Sequence, residues 1–106
     1  MRTLMLLLLI LPAIALAEDD GEEYLRLLED SSTRDAALVY LDNVTGEWDG
    51  SLFCVARGNP RAPDDARSAA FIAVRTYLEK HPQDRYRPRR YLIIQGLRAA
   101  FPCPAR

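Results

Sequence analysis

Apolar residues recur along the chain at helical spacing, and this pattern predicts the secondary structure. The longest stripe steps by three and four residues through Ala37, Leu41, Val44, Trp48, Leu52 and Val55. Such steps place side chains on one face of a helix, so we predict a helix from Arg34 to Arg57. Gly46 and Gly50 lie inside it. Because each glycine costs about 1 kcal/mol relative to alanine, we expect either a bend there or another helix crossing closely.

A shorter amphipathic stretch precedes this helix. Residues Asp20 to Asp30 place Tyr24 and three leucines among acidic residues. Acidic residues near the start of a helix interact favourably with its dipole, so we predict a short first helix here. Ser31-Ser32-Thr33 then breaks the pattern and supplies candidate N-caps for the next helix.

Glycine and proline residues delimit a third predicted helix. Gly58 suits the position just past a helix end, and Pro63 suits the first turn of the helix that follows. We predict that this helix runs to about Lys80, because Pro82 pushes the residue before it out of the helical region.

The last apolar stretch predicts a fourth helix. It can open at Pro88 and carries the apolar residues Leu92, Ile93, Ile94, Leu97, Ala100 and Phe101. Pro102 and Pro104 end it. No stretch alternates with period two for long, so the predicted fold class is all-α, a small bundle of about four helices.

The first 17 residues have the features of a secretory signal peptide. Arg2 precedes an unbroken apolar run from Leu4 to Leu11, and Ala15-Leu16-Ala17 supplies small residues for cleavage. The run is too short to span a bilayer stably, although an N-terminal membrane anchor is the alternative. We predict a signal peptide over residues 1–17 and one exported domain over 18–106, with no stable membrane anchor after cleavage.

Two cysteines remain in the predicted mature chain. Cys54 and Cys103 would meet an oxidising compartment, where a disulfide is the default expectation. A metal site lacks ligands, because His81 is the only histidine and no CxxC motif is present. His81 is also the only base available to a nucleophilic cysteine, and its place before a proline favours a helix-end role. No phosphate-binding glycine loop or activated nucleophile is visible, so we predict no enzyme and no cofactor; a hydrolase is the least favoured class.

Charge is distributed unevenly along the predicted mature chain. Residues 18–50 contain 11 acidic and 2 basic residues, whereas residues 51–106 contain 4 acidic and 11 basic residues. Either the two halves face each other or are solvated, or one half presents a charged surface to a partner and speeds their encounter.

The densest cluster of basic residues interleaves arginine and tyrosine at residues 85–91. Arginine and tyrosine are enriched at protein-binding hot spots, and loops on a stable scaffold often carry binding residues. Nucleic acid is disfavoured, because the protein is predicted to be exported and has a formal net charge of -1. The candidate partner-binding residues lie in two loops and are Arg57, Asn59, Arg61, Arg85, Tyr86, Arg87, Arg89 and Arg90.

Three segments resemble a known family. Phe53-Cys54 lies at the end of the second predicted helix, residues 77–82 read YLEKHP, and residues 97–103 read LRAAFPC. With their spacing, they resemble the YLxxHP segment and FPC ending of the Rap/Tai family, the immunity proteins for type VI secretion amidase effectors. The resemblance covers roughly Leu38 to Cys103. The chain departs from the pattern after Cys54, where the next proline is Pro60, and at Arg89-Arg90.

The resemblance implies a small helical periplasmic protein with a disulfide between Cys54 and Cys103. Such proteins bind and block a peptidoglycan amidase of the NlpC/P60 papain-like kind, often as dimers. The implied partners are therefore an effector amidase and a second copy of the chain. Tyr40 and Trp48 are candidates for either the core or a dimer contact, and their helical spacing favours the core.

An acid-stress or chaperone-like helical protein of the periplasm is the alternative function. Protonation of the 11 acidic residues in the first half would change the charge balance sharply, and acid-expanded states expose apolar surface. Such a protein would bind many clients at low pH instead of one stoichiometric partner.

Overall fold

The computed structural model describes residues 19–105. Within this range four α-helices follow one another: α1 (Gly21–Glu29), α2 (Arg34–Trp48), α3 (Ala66–Lys80) and α4 (Arg89–Ala100). A short 3-10 helix, Pro82–Asp84, lies between α3 and α4, and the described range contains no strand. The predicted all-α fold of about four helices is confirmed.

The predicted signal peptide lies outside the described residues. In the part of the chain that the structure does describe, no helix is both long enough and apolar enough to span a bilayer.

The core lies where the apolar faces of the four helices meet. Its fully buried side chains include Leu28, Leu41, Val44, Val74, Leu78, Leu92, Ile93 and Leu97. Tyr24 of α1 is also fully buried, and its hydroxyl donates a hydrogen bond to the Ala37 carbonyl of α2 at 2.7 Å. Tyr40 and Trp48 are half-buried and pack against this core, as their spacing predicts.

The second helix is shorter than predicted: it ends at Trp48 instead of Arg57. Asp49 takes an extended conformation, and its carboxylate accepts hydrogen bonds from the backbone N–H groups of Val55, Ala56 and Arg57 at 2.8–3.3 Å. These bonds fold residues 49–58 into a compact loop. The Phe53 and Val55 side chains of this loop are buried. The apolar stripe in the sequence therefore extends beyond the end of the helix.

The glycines of this region have other roles than predicted. Gly50 (φ 93°) and Gly58 (φ 74°) both lie in the loop in the left-handed region that glycine favours, so Gly58 does not follow a helix end. Gly46 lies within α2 with no neighbour within 4 Å of where a Cβ would stand, so no helix crosses there.

The third helix begins at Ala66, so Pro63 is not in its first turn as predicted. Asp65 is the N-cap, and its carboxylate accepts hydrogen bonds from the Ser68 N–H at 3.1 Å and the Ser68 hydroxyl at 2.8 Å. The hydrogen bond from the Ser68 N–H lowers the pKa of Asp65. Residues 64 and 65 therefore lie between Pro63 and α3, and Asp65 supplies the cap for its first turn.

The other helix ends agree more closely with the sequence patterns. Asp20 caps α1 by accepting the Glu23 N–H at 3.0 Å, and α4 begins directly after Pro88. The His81 Nδ1 lies 2.8 Å from the Tyr77 carbonyl, which is the helix-end role predicted for it. Thr33 occupies the N-cap position of α2 but makes no capping bond; its hydroxyl donates to the Leu27 carbonyl at 2.9 Å instead.

Helices α3 and α4 form a closely packed hairpin. A Cβ added at Gly96 of α4 would lie 3.1 Å from the Tyr77 Cβ and 3.5 Å from the Val74 Cα of α3. A side chain at this position would require Tyr77 or the helix backbones to shift, so glycine favours this close approach. The hairpin positions the loop between α3 and α4, which contains the candidate binding residues Arg85, Tyr86 and Arg87 and leads into Arg89 and Arg90 at the start of α4.

A disulfide joins the loop of residues 49–58 to the end of α4. Cys54 and Cys103 are bonded with a Cα–Cα separation of 4.8 Å, which confirms the predicted disulfide. The Cys54 N–H also donates a hydrogen bond to the Phe101 carbonyl at 2.8 Å. The loop that contains Arg57, Asn59 and Arg61 is thereby held near the end of α4.

Candidate protein-binding surface

The candidate binding residues lie at opposite ends of α4. Residues 85–90 lead into its first turn, whereas residues 57–61 follow Cys54, which the disulfide joins to Cys103 just past the C-terminal end of the helix. A helix of 12 residues is about 18 Å long. The structure therefore does not bring the two loops together into one patch.

Arg85 is largely committed to holding the fold. Its Nε donates to the Leu78 carbonyl at 2.8 Å, and its guanidinium pairs with Glu22 of α1 at 3.4 Å. Its side chain is only 20% exposed. Its carbonyl accepts the Glu22 N–H at 3.0 Å. Arg85 thus satisfies a carbonyl at the end of α3 and holds the start of α1 to the same loop.

Arg89 and Arg90 pair with acidic residues of the first half of the chain. Arg89 lies 3.3 Å from the Asp19 carboxylate, and its guanidinium stands 3.7 Å from the Tyr40 ring centroid. Arg90 lies 2.6 Å from the Glu47 carboxylate, and this hydrogen bond raises the Arg90 pKa. These contacts offset the unfavourable position of two cations at the N-terminus of a helix.

Tyr86, Arg87 and Tyr91 form an exposed cluster that we call the arginine–tyrosine patch. The Arg87 guanidinium lies 5.5 Å from the Tyr86 ring centroid and 5.2 Å from that of Tyr91. Tyr86 is 70% exposed. Asp84 pairs with Arg87 at 3.8 Å. Stacking on two rings holds the guanidinium in place while leaving aromatic surface available to a partner.

In the other candidate loop, Asn59 makes hydrogen bonds within the loop, whereas Arg57 and Arg61 have exposed side chains. The Asn59 amide donates to the carbonyls of Cys54 and Val55 at 3.0 and 3.2 Å, and its carbonyl accepts the Arg61 N–H at 2.8 Å. Asn59 therefore shapes the loop. The side chains of Arg57 and Arg61 are exposed, and neither has an ion-pair partner among residues 19–105.

An open apolar groove of about 590 Å³ runs between α3 and α4. We call it the α3–α4 groove; it is lined by Ala69, Ile72, Ala73, Thr76, Tyr77, Lys80, His81, Gly96, Ala99, Ala100 and Phe101. Most of the lining residues are small, which leaves room between the helices. The sequence analysis missed this groove, although alanine and glycine at steps of three and four on both helices signal it.

Tyr77 lies where the groove meets the arginine–tyrosine patch. Its ring stacks on His81 at a centroid distance of 4.0 Å. Burial raises the Tyr77 pKa, and the nearby Asp84 and Tyr91 raise it further, whereas Arg87 lowers it. Tyr77 of the groove therefore lies within electrostatic range of Arg87 and Tyr91 of the patch.

The described residues contain no cluster of three or more potential metal ligands. Both cysteines are in the disulfide, and His81 is engaged with Tyr77. The surface instead combines a groove, aromatic rings and positive charge, which are features typical of protein-binding surfaces.

The fold and the surface together define a small, disulfide-linked helical binding protein. Comparison with known families agrees with that class: residues 21–103 match the family described as Rap1a immunity proteins. The chain belongs to this immunity protein family. Membership implies a protein partner, a secreted effector against which the chain protects. No curated protein and no solved structure matches the chain.

Proposed function

We propose that the chain, after removal of residues 1–17, is a periplasmic immunity protein that inhibits a papain-like peptidoglycan amidase delivered by type VI secretion. Family membership over residues 21–103 carries this proposal. Inhibition requires no chemistry from the chain itself, because a protein that fills an active-site cleft excludes the substrate. The arginine–tyrosine patch is the proposed blocking surface, since it is exposed and combines the residue types that dominate binding hot spots.

Arg57 and Arg61 have a secondary role in this proposal. Exposed and unpaired cations at the edge of an interface accelerate encounter with an acidic partner more than they tighten the final complex. A second copy of the chain can be present in the complex, since the family resemblance implies a dimer. Neither contribution is needed for occlusion by the patch itself.

The proposal is tested by titrating residues 18–106 against the purified amidase encoded beside this chain and measuring peptidoglycan hydrolysis. We expect inhibition that saturates at a stoichiometric ratio, with no turnover of the inhibitor. Substituting Arg87→Glu should weaken inhibition about tenfold or more, as for a hot-spot residue.

The matched control is Arg67→Glu, which reverses another half-exposed arginine in the first turn of α3, at the opposite end of that helix from the patch. It should inhibit like the original protein. Full amidase activity in the presence of excess inhibitor would refute the proposed function. Binding of many unfolded clients only near pH 3 would favour the acid-stress alternative.

A further inference from the structure

The α3–α4 groove has the dimensions of a binding site and is not filled by the chain's own core. Its volume of about 590 Å³ lies within the range of roughly 300–1,000 Å³ that is typical of binding pockets. Val74, Leu78 and Leu97 of α3 and α4 are fully buried in the core and are not among the residues that line the groove. Alanine residues 69, 73, 99 and 100 give the groove a shallow floor.

The walls of the groove expose apolar surface. Ile72 is 55% exposed and lines the groove beside the alanine residues. Phe101, at the C-terminal end of α4, also lines the groove. Ile72 and the apolar concavity beside it form one contiguous apolar surface, and surfaces of this kind are where proteins associate. A groove between two helices accepts a short amphipathic helix through residues spaced three and four apart.

The charge of the groove indicates what the occupant carries. Lys80 lines the groove, none of the eleven lining residues is acidic, and Lys80 has no ion-pair partner in the described part of the chain. A segment that fits therefore has apolar side chains for the floor and a carboxylate for the Lys80 ammonium. A second copy docked groove to groove would bring together two surfaces that each contain a cation and no carboxylate.

We propose that the α3–α4 groove binds an apolar helical segment of the amidase, with a carboxylate of that segment placed against Lys80. This inference rests on the proposed function, because it assigns a second contact surface to the same partner. The arginine–tyrosine patch covers the cleft, and the neighbouring groove anchors the amidase at a place away from its catalytic residues.

The test measures binding of purified residues 18–106 to the purified amidase encoded beside this chain, using variants of both groove walls. Ile72→Glu and Ala99→Glu should each raise the dissociation constant about tenfold or more, since each puts a charge into an apolar contact. Lys80→Glu should slow association and reduce its dependence on salt concentration, whereas Lys80→Arg should not.

The matched control is Val39→Glu on α2, because Val39 is 54% exposed, almost the same fraction as Ile72. It should bind like the original protein, and circular dichroism should show the same helicity for all variants. Ile72→Glu and Ala99→Glu variants that bind as tightly as the original protein would overturn the groove proposal alone. If the original protein does not bind the amidase, the proposed function fails with it.

The mass of each variant in solution tests whether a second copy of the chain, instead of the amidase, occupies the groove. Sedimentation of the free proteins should show the same oligomeric state for the original chain, Ile72→Glu and Val39→Glu. Dissociation of a dimer by Ile72→Glu, with amidase binding retained, would mean that a second copy occupies the groove and would also overturn the proposal.

Discussion

Tyr24 combines a fully buried side chain with a hydrogen bond from its hydroxyl. Its side chain is fully buried, and its hydroxyl donates to the Ala37 carbonyl at 2.7 Å. Burial raises its pKa above the ordinary value of 10.0, because the phenolate would be poorly solvated in the core. The folded state therefore holds the Tyr24 proton more tightly than the unfolded state does. The resulting contribution to stability is complete below about pH 10 and is lost as the pH rises further.

Replacing Tyr24 with phenylalanine separates these two effects. Tyr24→Phe leaves the Ala37 carbonyl without its donor, so the free energy of unfolding at pH 7 should fall by about 1–2 kcal/mol. The variant should also lose less stability than the original protein between pH 9 and about pH 11. Urea unfolding at these pH values measures both quantities.

Tyr86→Phe is the control, because the Tyr86 side chain is mostly exposed and its hydroxyl makes no hydrogen bond within residues 19–105. It should unfold like the original protein at neutral pH. Equal stability of Tyr24→Phe and Tyr86→Phe would show that the buried hydrogen bond contributes nothing.

Single residues also explain where the sequence analysis was wrong. The apolar stripe continued past Trp48 because Phe53 and Val55 are buried, but in a loop whose fold depends on the Asp49 carboxylate. A carboxylate that binds three backbone N–H groups six to eight residues away leaves no periodic signal. Likewise, Arg89 and Arg90 looked unfavourable at a helix start because their partners, Asp19 and Glu47, are far away in the sequence.

At the scale of the helix, two glycines that both lie inside α-helices have opposite environments. Gly96 lies at the α3–α4 contact, where a Cβ would stand 3.1 Å from Tyr77, whereas Gly46 faces open space in α2. Sequence analysis expected either a bend or a close helix crossing at Gly46 and Gly50, and it did not single out Gly96. The period of a helix shows which face is apolar, but it does not show which point of that face meets another backbone.

Substitution of these two glycines should change stability in opposite directions. Gly96→Val forces a branched side chain against Tyr77 and the α3 backbone, so the free energy of unfolding should fall by about 1–3 kcal/mol. Gly46→Ala adds a methyl group in open space and removes the conformational freedom of glycine in a helix, so stability should rise by about 0.5–1 kcal/mol.

Thermal unfolding of both variants checks this prediction. A stabilising Gly96→Val would mean that α3 and α4 can move apart at little cost. A destabilising Gly46→Ala would mean that α2 does not behave as an ordinary exposed helix at that residue.

At the scale of the whole molecule, the order of helices was predictable and their meeting points were not. Proline and aspartate placed the starts of α1 and α4 within a residue or two, and two cysteines sufficed to predict the disulfide. The groove depends on how α3 and α4 cross, and the separation of the two candidate loops depends on α4 standing between them. Neither arrangement can be read from local pattern alone.

The opposite charges of the two halves contribute to their association. Among the described residues, four ion pairs join the acidic half to the basic half: Arg67–Asp42, Arg85–Glu22, Arg89–Asp19 and Arg90–Glu47. These pairs support the interpretation that the halves face each other. All four pairs are partly exposed, and exposed pairs contribute little individually to the free energy of unfolding. The charges therefore affect how the two halves are oriented against each other more than they affect the total stability.

The disulfide should contribute a large share of the stability of so short a chain. Cys54 and Cys103 are separated by 49 residues, and closing a loop of that length should stabilise the fold by about 4 kcal/mol in the chain-entropy estimate. We expect replacement of both cysteines with serine to lower the free energy of unfolding by about 2–4 kcal/mol. Urea unfolding under non-reducing conditions measures the loss.

A reductant provides the control for this prediction. It should lower the unfolding midpoint of the original protein towards that of the double serine variant and leave the variant unchanged. An unchanged midpoint for the variant without reductant would mean that the bond does not restrict the unfolded chain.

The first turn of α1 depends on backbone that is synthesised much later. The Gly21 and Glu22 N–H groups donate to the Arg87 and Arg85 carbonyls, and the Arg89 N–H donates to the Asp19 carbonyl. More than 60 residues separate these partners, and contacts between distant segments slow folding because a long loop must close first. A nascent chain that ends before Arg85 lacks the acceptors for the start of α1. The protein can therefore complete its fold only when almost all of it has reached the compartment in which it folds.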